Sequence, residues 1–374
     1  MLSQWMIVCI AFFASFVLTS FLFSKLENFE IFRLRNFSAT ASVVLGCVVS
    51  SVGVLSFCWD NYDFVSDIGL KGFLAPVIGL AAVFITCLIN RRYLVELGVL
   101  IASFIGVFAG DLFIEFIPSV PDIVNKLCTV VVWFLFSIGI KVVAALYPFL
   151  QMQGITISGG IVLLYIFGVA PFMMGVVGAT LLAAMMVAYM NYTNQTMGLT
   201  VSPIVGYLIG WFGLVSYNEM LMPCFIILTM VCLVEMSVSL LKMLTFMKKY
   251  RDFTNNSFLM QIYESGLAPF AMIKALWLLS GVLVVFCVFQ ANGVNSYSIP
   301  VFVFVVVLWQ FFKLIGWKNE DKSWKETNKE VISQIKTVVN EIRKSAKSTK
   351  KVNGVKKTKQ VKQRKTSKIK KGQK

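Results

Sequence analysis

Histidine is missing from this chain of 374 residues. Without an imidazole, the chain has no Ser–His pair, no histidine general base and no His-ligated metal. The eight cysteines stand singly in apolar runs, without the C-x-x-C spacing of a zinc site. We therefore interpret them as small apolar residues in helix packing, and the sequence assigns no metal site.

Charge is scarce before residue 318. The chain has 34 Lys and Arg against 18 Asp and Glu, but residues 318–374 hold 20 of those bases and only 5 of the acids. The tail therefore carries +15 of the net charge of +16, and the remainder is nearly neutral. With 58% hydrophobic residues, this composition indicates a protein whose solvent is largely lipid.

Long apolar runs are abundant. A membrane span needs about 20 mostly apolar residues, and the predicted fold class is an all-α, polytopic transmembrane bundle of about eleven spans near 5–24, 41–58, 70–89, 94–117, 124–147, 155–171, 173–190, 198–216, 220–241, 270–290 and 297–316. As one helix, 155–190 would be about 54 Å long, well beyond a ~30 Å hydrocarbon core. We therefore predict two spans, divided at Pro171.

The distribution of basic residues predicts the orientation, because cytoplasmic loops carry an excess of Lys and Arg. Eleven spans with the N-terminus outside place every basic cluster and the tail in the cytoplasm: Lys25, Arg33, Arg35, Arg91, Arg92, Lys242, Lys248, Lys249 and Arg251. A single span for 155–190 would separate the Lys248 cluster from the tail. The first run lacks a basic flank and a small-residue cleavage site, so we expect it to be retained.

An ionisable residue within a span needs a physical reason, and four of those in the predicted spans are of particular interest. Asp111 and Glu115 would lie one helical turn apart at the wet outer rim of span four. Glu235 would either pair inside the bundle or face a substrate. Lys141 is placed to bind phosphate near the cytoplasmic end of span five, with snorkelling to that interface as the alternative.

Two predicted cytoplasmic loops, 147–154 and 191–198, are uncharged but rich in amide and hydroxyl groups. Such loops could line a polar cavity. They lack the carboxylates that Mg²⁺ prefers.

The run from Met197 to Gly206 reads M-G-L-T-V-S-P-I-V-G and is similar to M-G-D-x-G-S-x-x-x-G, with Leu199 and Val201 as the two departures from its six fixed residues. In this motif and in the layout of residues 1–316, the chain resembles the polyprenyl-phosphate N-acetylhexosamine-1-phosphate transferases, which include undecaprenyl-phosphate GlcNAc-1-phosphate transferase and phospho-MurNAc-pentapeptide translocase. Residues 150–157 fall at the family's N-x-x-D-G-x-D-G, and Glu235 falls at a family Asp.

The resemblance implies transfer of a HexNAc-1-phosphate from a UDP-sugar to a polyprenyl phosphate, for cell-envelope glycan synthesis in a bacterial cytoplasmic membrane. Mg²⁺ would be the cofactor where that activity is retained. The resemblance places the following residues at the substrate: Lys141, Gln153, Gly154, Asn194, Gly198, Ser202, Glu235 and Lys242.

No residue is assigned a catalytic role, because Gln153, Thr156 and Leu199 stand where the family has carboxylates and none can be anionic. An inactive relative that binds lipid phosphate or a protein partner is therefore an alternative. A transporter is a second alternative, suggested by broken hydrophobic runs at Pro171 and Pro203 and by Glu235 within a span.

The predicted transmembrane domain, 1–316, precedes two cytoplasmic segments. Residues 317–343 predict an amphipathic helix with an apolar stripe of Val331, Ile335, Val338 and Ile342. Residues 344–374 contain no acid and predict a disordered polybasic tail that binds anionic lipid head groups. Nucleic acid or the ribosome is the alternative partner of the tail, and a second copy of the chain is a candidate partner of the bundle.

Overall fold

A computed structural model describes residues 4–26, 37–58, 65–89, 92–145, 148–191, 202–245 and 269–293. All of them belong to the first of two units, residues 1–307. The predicted span 297–316, the amphipathic helix 317–343 and the polybasic tail 344–374 lie outside the described residues, as does most of the predicted loop 191–198.

Within that part of the chain, the secondary structure is helical and contains no β-strand, which confirms the all-α prediction there. The ten α-helices are α1 (Gln4–Leu26), α2 (Phe37–Cys58), α3 (Val65–Ile89), α4 (Arg92–Phe108), α5 (Asp122–Gly139), α6 (Phe149–Ile166), α7 (Phe172–Asn191), α8 (Ser202–Asn218), α9 (Met222–Thr245) and α10 (Pro269–Ala291). A 3₁₀ turn, Val143–Ala145, separates α5 from α6.

Five of the described helices are long and apolar enough to cross a membrane: α1, α5, α6, α7 and Ile273–Ala291 within α10. Shorter apolar stretches occupy α2, α3, α4 and α9. The 23 residues of α1 span about 34 Å, enough for a ~30 Å hydrocarbon core. Helices of this length and composition indicate a membrane protein.

Helices α7 and α8 form the centre of the bundle. The first packs against α1, α2 and α6, and the second packs mainly against α5 and α3. Polar contacts accompany the apolar packing of α7. The Oγ atom of Ser51 lies 2.7 Å from Oγ1 of Thr180, and Ser15 donates to the Thr180 carbonyl at 2.8 Å. Hydrogen bonds between helices satisfy hydroxyls that lipid would leave unsatisfied.

The predicted fourth span, 94–117, is too long, because α4 ends at Phe108. Asp111 has a φ of 55°, in the left-handed region, so a right-handed helix cannot continue through it. The prediction that Asp111 and Glu115 lie one helical turn apart is therefore wrong. Both are exposed, and Nζ of Lys126 lies 2.6 Å from Oδ1 of Asp111.

The predicted polar loop 147–154 is wrong from Phe149 onward, because α6 begins there, directly after Pro148. Proline is well tolerated at a helix start, where its missing N–H would have no helical partner. The amides of Gln151 and Gln153 consequently lie buried inside the bundle. The predicted span 155–171 begins and ends too late, since α6 ends at Ile166.

The predicted break at Pro171 is confirmed as the boundary between two helices. Helix α6 closes with Gly168 in the left-handed region at φ 72°. The amide of Val169 donates to the Leu164 carbonyl, and that of Gly168 donates to the Tyr165 carbonyl, at 2.9 and 2.8 Å. This is a Schellman closure, in which glycine adopts the required positive φ without strain.

Candidate functional site

Gln153 lies at the meeting point of three helices. On α6, its Nε2 donates to Oγ of Ser280 on α10 at 2.9 Å, and Sγ of Cys232 on α9 lies 3.9 Å from its Oε1. Ser280 in turn donates to the Leu276 carbonyl at 2.9 Å. With 1% of its surface exposed, the Gln153 amide is held in a buried network that joins α6, α9 and α10.

Glu235 lies one helical turn beyond Cys232 on α9 and is 3% exposed. The next residue, Met236, packs against Gly139 at the end of α5. The structure therefore brings Gln153 close to the stretch of α9 that carries Glu235. That carboxylate is buried within the bundle.

Lys141 follows the end of α5, where its Nζ lies 3.4 Å from Oε1 of Glu96 on α4. The Lys141 side chain is 11% exposed and that of Glu96 is 30% exposed. The lysine charge therefore has a carboxylate partner inside the protein, and the bond ties the turn after α5 to α4.

Gly154 and Ser202, two further predicted site residues, lie in tightly packed helix contacts. A Cβ on Gly154 would meet the Met185 side chain of α7 at 3.0 Å, so this glycine permits α6 and α7 to approach closely. Ser202 is fully buried at the first residue of α8. Asn194 and Gly198 lie outside the described residues; Lys242 lies in α9, but its side chain is outside the described part.

The described residues at the family's carboxylate positions do not fit Mg²⁺. The amide of Gln153 is occupied by Ser280 and Cys232, and the hydroxyl of Thr156 donates to the Met152 carbonyl at 2.8 Å. Neither group carries negative charge. Throughout the described part of the chain, no three His, Cys, Asp or Glu side chains form a group that could hold a metal ion.

No protein-family model and no curated protein matches this chain. The resemblance to the transferases therefore stays a hypothesis carried by the residues quoted for it. The geometry of the described helices provides an independent basis for a functional proposal.

An open groove of about 750 Å³ separates α6 from α10. Its walls are almost wholly apolar, and glycines on both helices make room for it. A Cβ on Gly281 would meet nothing within 4 Å, and one on Gly159 would meet only Leu182, at 3.9 Å. Across the groove, Leu163 and Leu278 expose much of their surface. A groove of this size with apolar walls suits a hydrocarbon chain.

Lys274 lies on α10 one helical turn before Trp277, the first groove-lining residue of that helix, and was not among the site residues predicted from the sequence. It is exposed, and it precedes Trp277, Leu278 and Gly281 by three, four and seven residues, so it shares their face of α10. The sequence signal that could have identified it is its position inside the predicted span 270–290, where an ionisable residue needs a physical reason.

Proposed function

We propose that this chain is a membrane-embedded binding protein that holds a lipid phosphate, with the hydrocarbon chain in the groove between α6 and α10 and the phosphate at Lys274. The observation that carries the proposal is the pairing of an apolar groove with an exposed lysine one helical turn beyond its end. An ammonium group attracts phosphate, and the apolar groove walls pack against the hydrocarbon chain.

The chain is proposed to be a divergent relative of the phospho-sugar transferases that lacks their reaction. Support comes from Gln153, which stands where that family has a carboxylate and which bonds Ser280 and Cys232. A neutral amide in this network cannot supply the anionic oxygen with which a carboxylate holds Mg²⁺ against a pyrophosphate. Polyprenyl phosphate remains the proposed lipid, since the resemblance concerns that substrate class.

The proposed topology has about eleven spans in a bacterial cytoplasmic membrane, with the N-terminus outside and the tail in the cytoplasm. Basic loop residues such as Arg91, Arg92 and Lys248 support it through the positive-inside rule. A reporter that is fluorescent only in the cytoplasm, fused after Lys374, is expected to be active. Activity of a reporter that works only in the periplasm, fused at the same position, would show that the orientation is the reverse of the proposed one.

The polybasic tail, 344–374, is proposed to add a second contact with anionic head groups. Its charge is carried by lysine and arginine alone, without an acid, and each base near a membrane surface contributes about 1 kcal/mol. Binding of the full chain to anionic vesicles should weaken with rising salt more steeply than binding of a chain ending at residue 343. Equal salt dependence of the full and shortened chains would show that the tail does not contact the head groups.

Lipid binding is tested by native mass spectrometry of the purified full chain with polyprenyl phosphate. Lys274→Ala is expected to weaken binding about fivefold, because it removes a single favourable charge contact worth about 1 kcal/mol. The matched control is Lys71→Ala, since Lys71 is also an exposed lysine but lies on α3. Equal binding by the two variants would refute the assignment of Lys274.

Catalysis is tested separately by adding a UDP-HexNAc and Mg²⁺ to the lipid-loaded protein. We expect no release of UMP. Release of UMP that depends on polyprenyl phosphate would establish a transferase and overturn the proposal that the reaction has been lost, whatever the Lys274 variant does.

A further inference from the structure

Helices α9 and α10 each carry a cysteine near the same end of their contact. Cys224 is the third residue of α9, and Cys287 lies four residues before the end of α10. Sγ of Cys224 lies 3.7 Å from the Cys287 carbonyl oxygen, and Sγ of Cys287 lies 3.5 Å from the Cys224 carbonyl oxygen. The two residues therefore face each other directly across the interface.

This reciprocal arrangement distinguishes the pair from other described cysteines. Cys47 contacts Oγ1 of Thr180, and Cys232 contacts Oε1 of Gln153, so each of those thiols has a polar partner other than cysteine. A disulfide requires two Cα atoms close together and side chains that point toward each other. Each of these two thiols contacts the main chain of the other residue. The side chains therefore point toward each other, and the two backbones approach closely.

The position along the helices also suits oxidation. At a rise of about 1.5 Å per residue, both cysteines lie within about two helical turns of their helix ends. In the proposed orientation, the start of α9 and the end of α10 face the outside, where disulfides form and persist. The inference rests on this part of the proposed function, namely the topology, and not on lipid binding.

We propose that Cys224 and Cys287 are a modification site at which a disulfide forms and ties α9 to α10. The co-reactant is an oxidised dithiol donor outside the membrane. Both thiols are buried in the assembled bundle, so the donor reacts with the chain before α9 and α10 pack together. The thiolate of one cysteine attacks the donor's S–S bond and gives a mixed disulfide; the second cysteine then displaces the donor. The Sγ–Sγ bond forms, the donor's S–S bond breaks, and two electrons and the two thiol protons end on the donor as two thiols.

The disulfide has a consequence for the groove, because α10 is one of its walls. Within the described bundle, α10 packs mainly against α9 and α6. A covalent bond from Cys287 to Cys224 limits how far the end of α10 can move from α9, and so how far it can move from α6, which α9 also contacts.

The experiment uses cells that express the full chain and are quenched in acid. The denatured protein is alkylated with N-ethylmaleimide, reduced, and then labelled with a maleimide that carries polyethylene glycol. The wild-type chain and Cys47→Ser should each acquire two labels. Cys224→Ser and Cys287→Ser should acquire none, and because labelling is read on denatured protein, it does not require that a variant fold normally.

Two outcomes would overturn the proposal. A wild-type chain without any label has no disulfide in the cell, and two labels retained in Cys224→Ser would come from another pair. The reporter fused after Lys374 tests the topology separately from the disulfide. An unlabelled chain with a cytoplasmic tail refutes the disulfide itself, whereas a tail found outside refutes the proposed topology.

Discussion

The indole nitrogen of Trp133 donates to the main-chain carbonyl of Tyr207 at 3.0 Å, and the two rings stack with centroids 4.5 Å apart. The Tyr207 hydroxyl donates onward to the Ala102 carbonyl at 3.1 Å. These contacts join α5, α8 and α4 and satisfy both aromatic polar groups in the interior. Glycines make the approach possible, since Gly106 and Gly210 both lie against the Trp133 ring.

Gly206→Ala should destabilise the bundle at this interface. A Cβ there would lie 2.7 Å from the carbonyl oxygen of Ser137 and 2.9 Å from its Cα, and main-chain atoms of a helix cannot move aside easily. We expect a loss of about 1–3 kcal/mol in the free energy of unfolding, as for other overpacked interiors. Unfolding of the detergent-solubilised protein, followed by tryptophan fluorescence, would measure it.

Gly53→Ala is the matched control, because a Cβ on Gly53 in α2 would meet nothing within 4 Å. Replacing a helical glycine with alanine at an open position is expected to leave stability unchanged or raise it by about 0.5–1 kcal/mol. Equal losses in the two variants would show that steric overlap with Ser137 is not the cause.

Gly206 also illustrates what the sequence could predict. The apolar runs predict most helices, because span length and hydrophobicity depend on local composition. Gly206 is a fixed residue of the motif, but only the structure reveals its contact with Ser137. The sequence predicts a polar loop at Gln153, because local sequence does not distinguish an amide on a solvated loop from an amide in a buried network. Lys274 was missed because the groove exists only once α6 and α10 are paired.

The bond between Gln153 and Ser280 should appear as an interaction energy in a double-mutant cycle. Gln153→Leu and Ser280→Ala each remove one partner of the 2.9 Å hydrogen bond. The two changes should be coupled by about 0.5–1.7 kcal/mol, the range for hydrogen bonds between membrane helices. The measurement is the free energy of unfolding of both single variants and the double variant.

Ser137→Ala provides the control cycle with Gln153→Leu. The Ser137 hydroxyl donates to the Trp133 carbonyl within its own helix, at 2.8 Å. The two changes should therefore add independently. Coupling as large as that between Gln153 and Ser280 would indicate that the substitutions loosen the whole bundle and that the first cycle does not report a specific hydrogen bond.

Lys141→Met should affect stability more than lipid binding. The lysine pairs with Glu96 at 3.4 Å, so its removal leaves a partly buried carboxylate without this partner. We expect a loss of about 1–3 kcal/mol in unfolding free energy, between the values for exposed and buried pairs. In the same mass-spectrometric assay, polyprenyl phosphate affinity should change less than twofold. A loss as large as in Lys274→Ala would place Lys141 at the phosphate, as the sequence had predicted.

Filling the groove should prevent the lipid chain from binding without unfolding the protein. Gly281→Leu projects a side chain from α10 into a space where a Cβ meets nothing within 4 Å, so we expect the unfolding temperature to be maintained. Affinity for polyprenyl phosphate should fall about tenfold, since the leucine occupies the space in which the chain would otherwise pack. Gly53→Leu makes the same substitution at an equally open glycine of α2, away from the groove residues. If Gly281→Leu binds the lipid as tightly as Gly53→Leu does, the chain does not occupy the groove between α6 and α10.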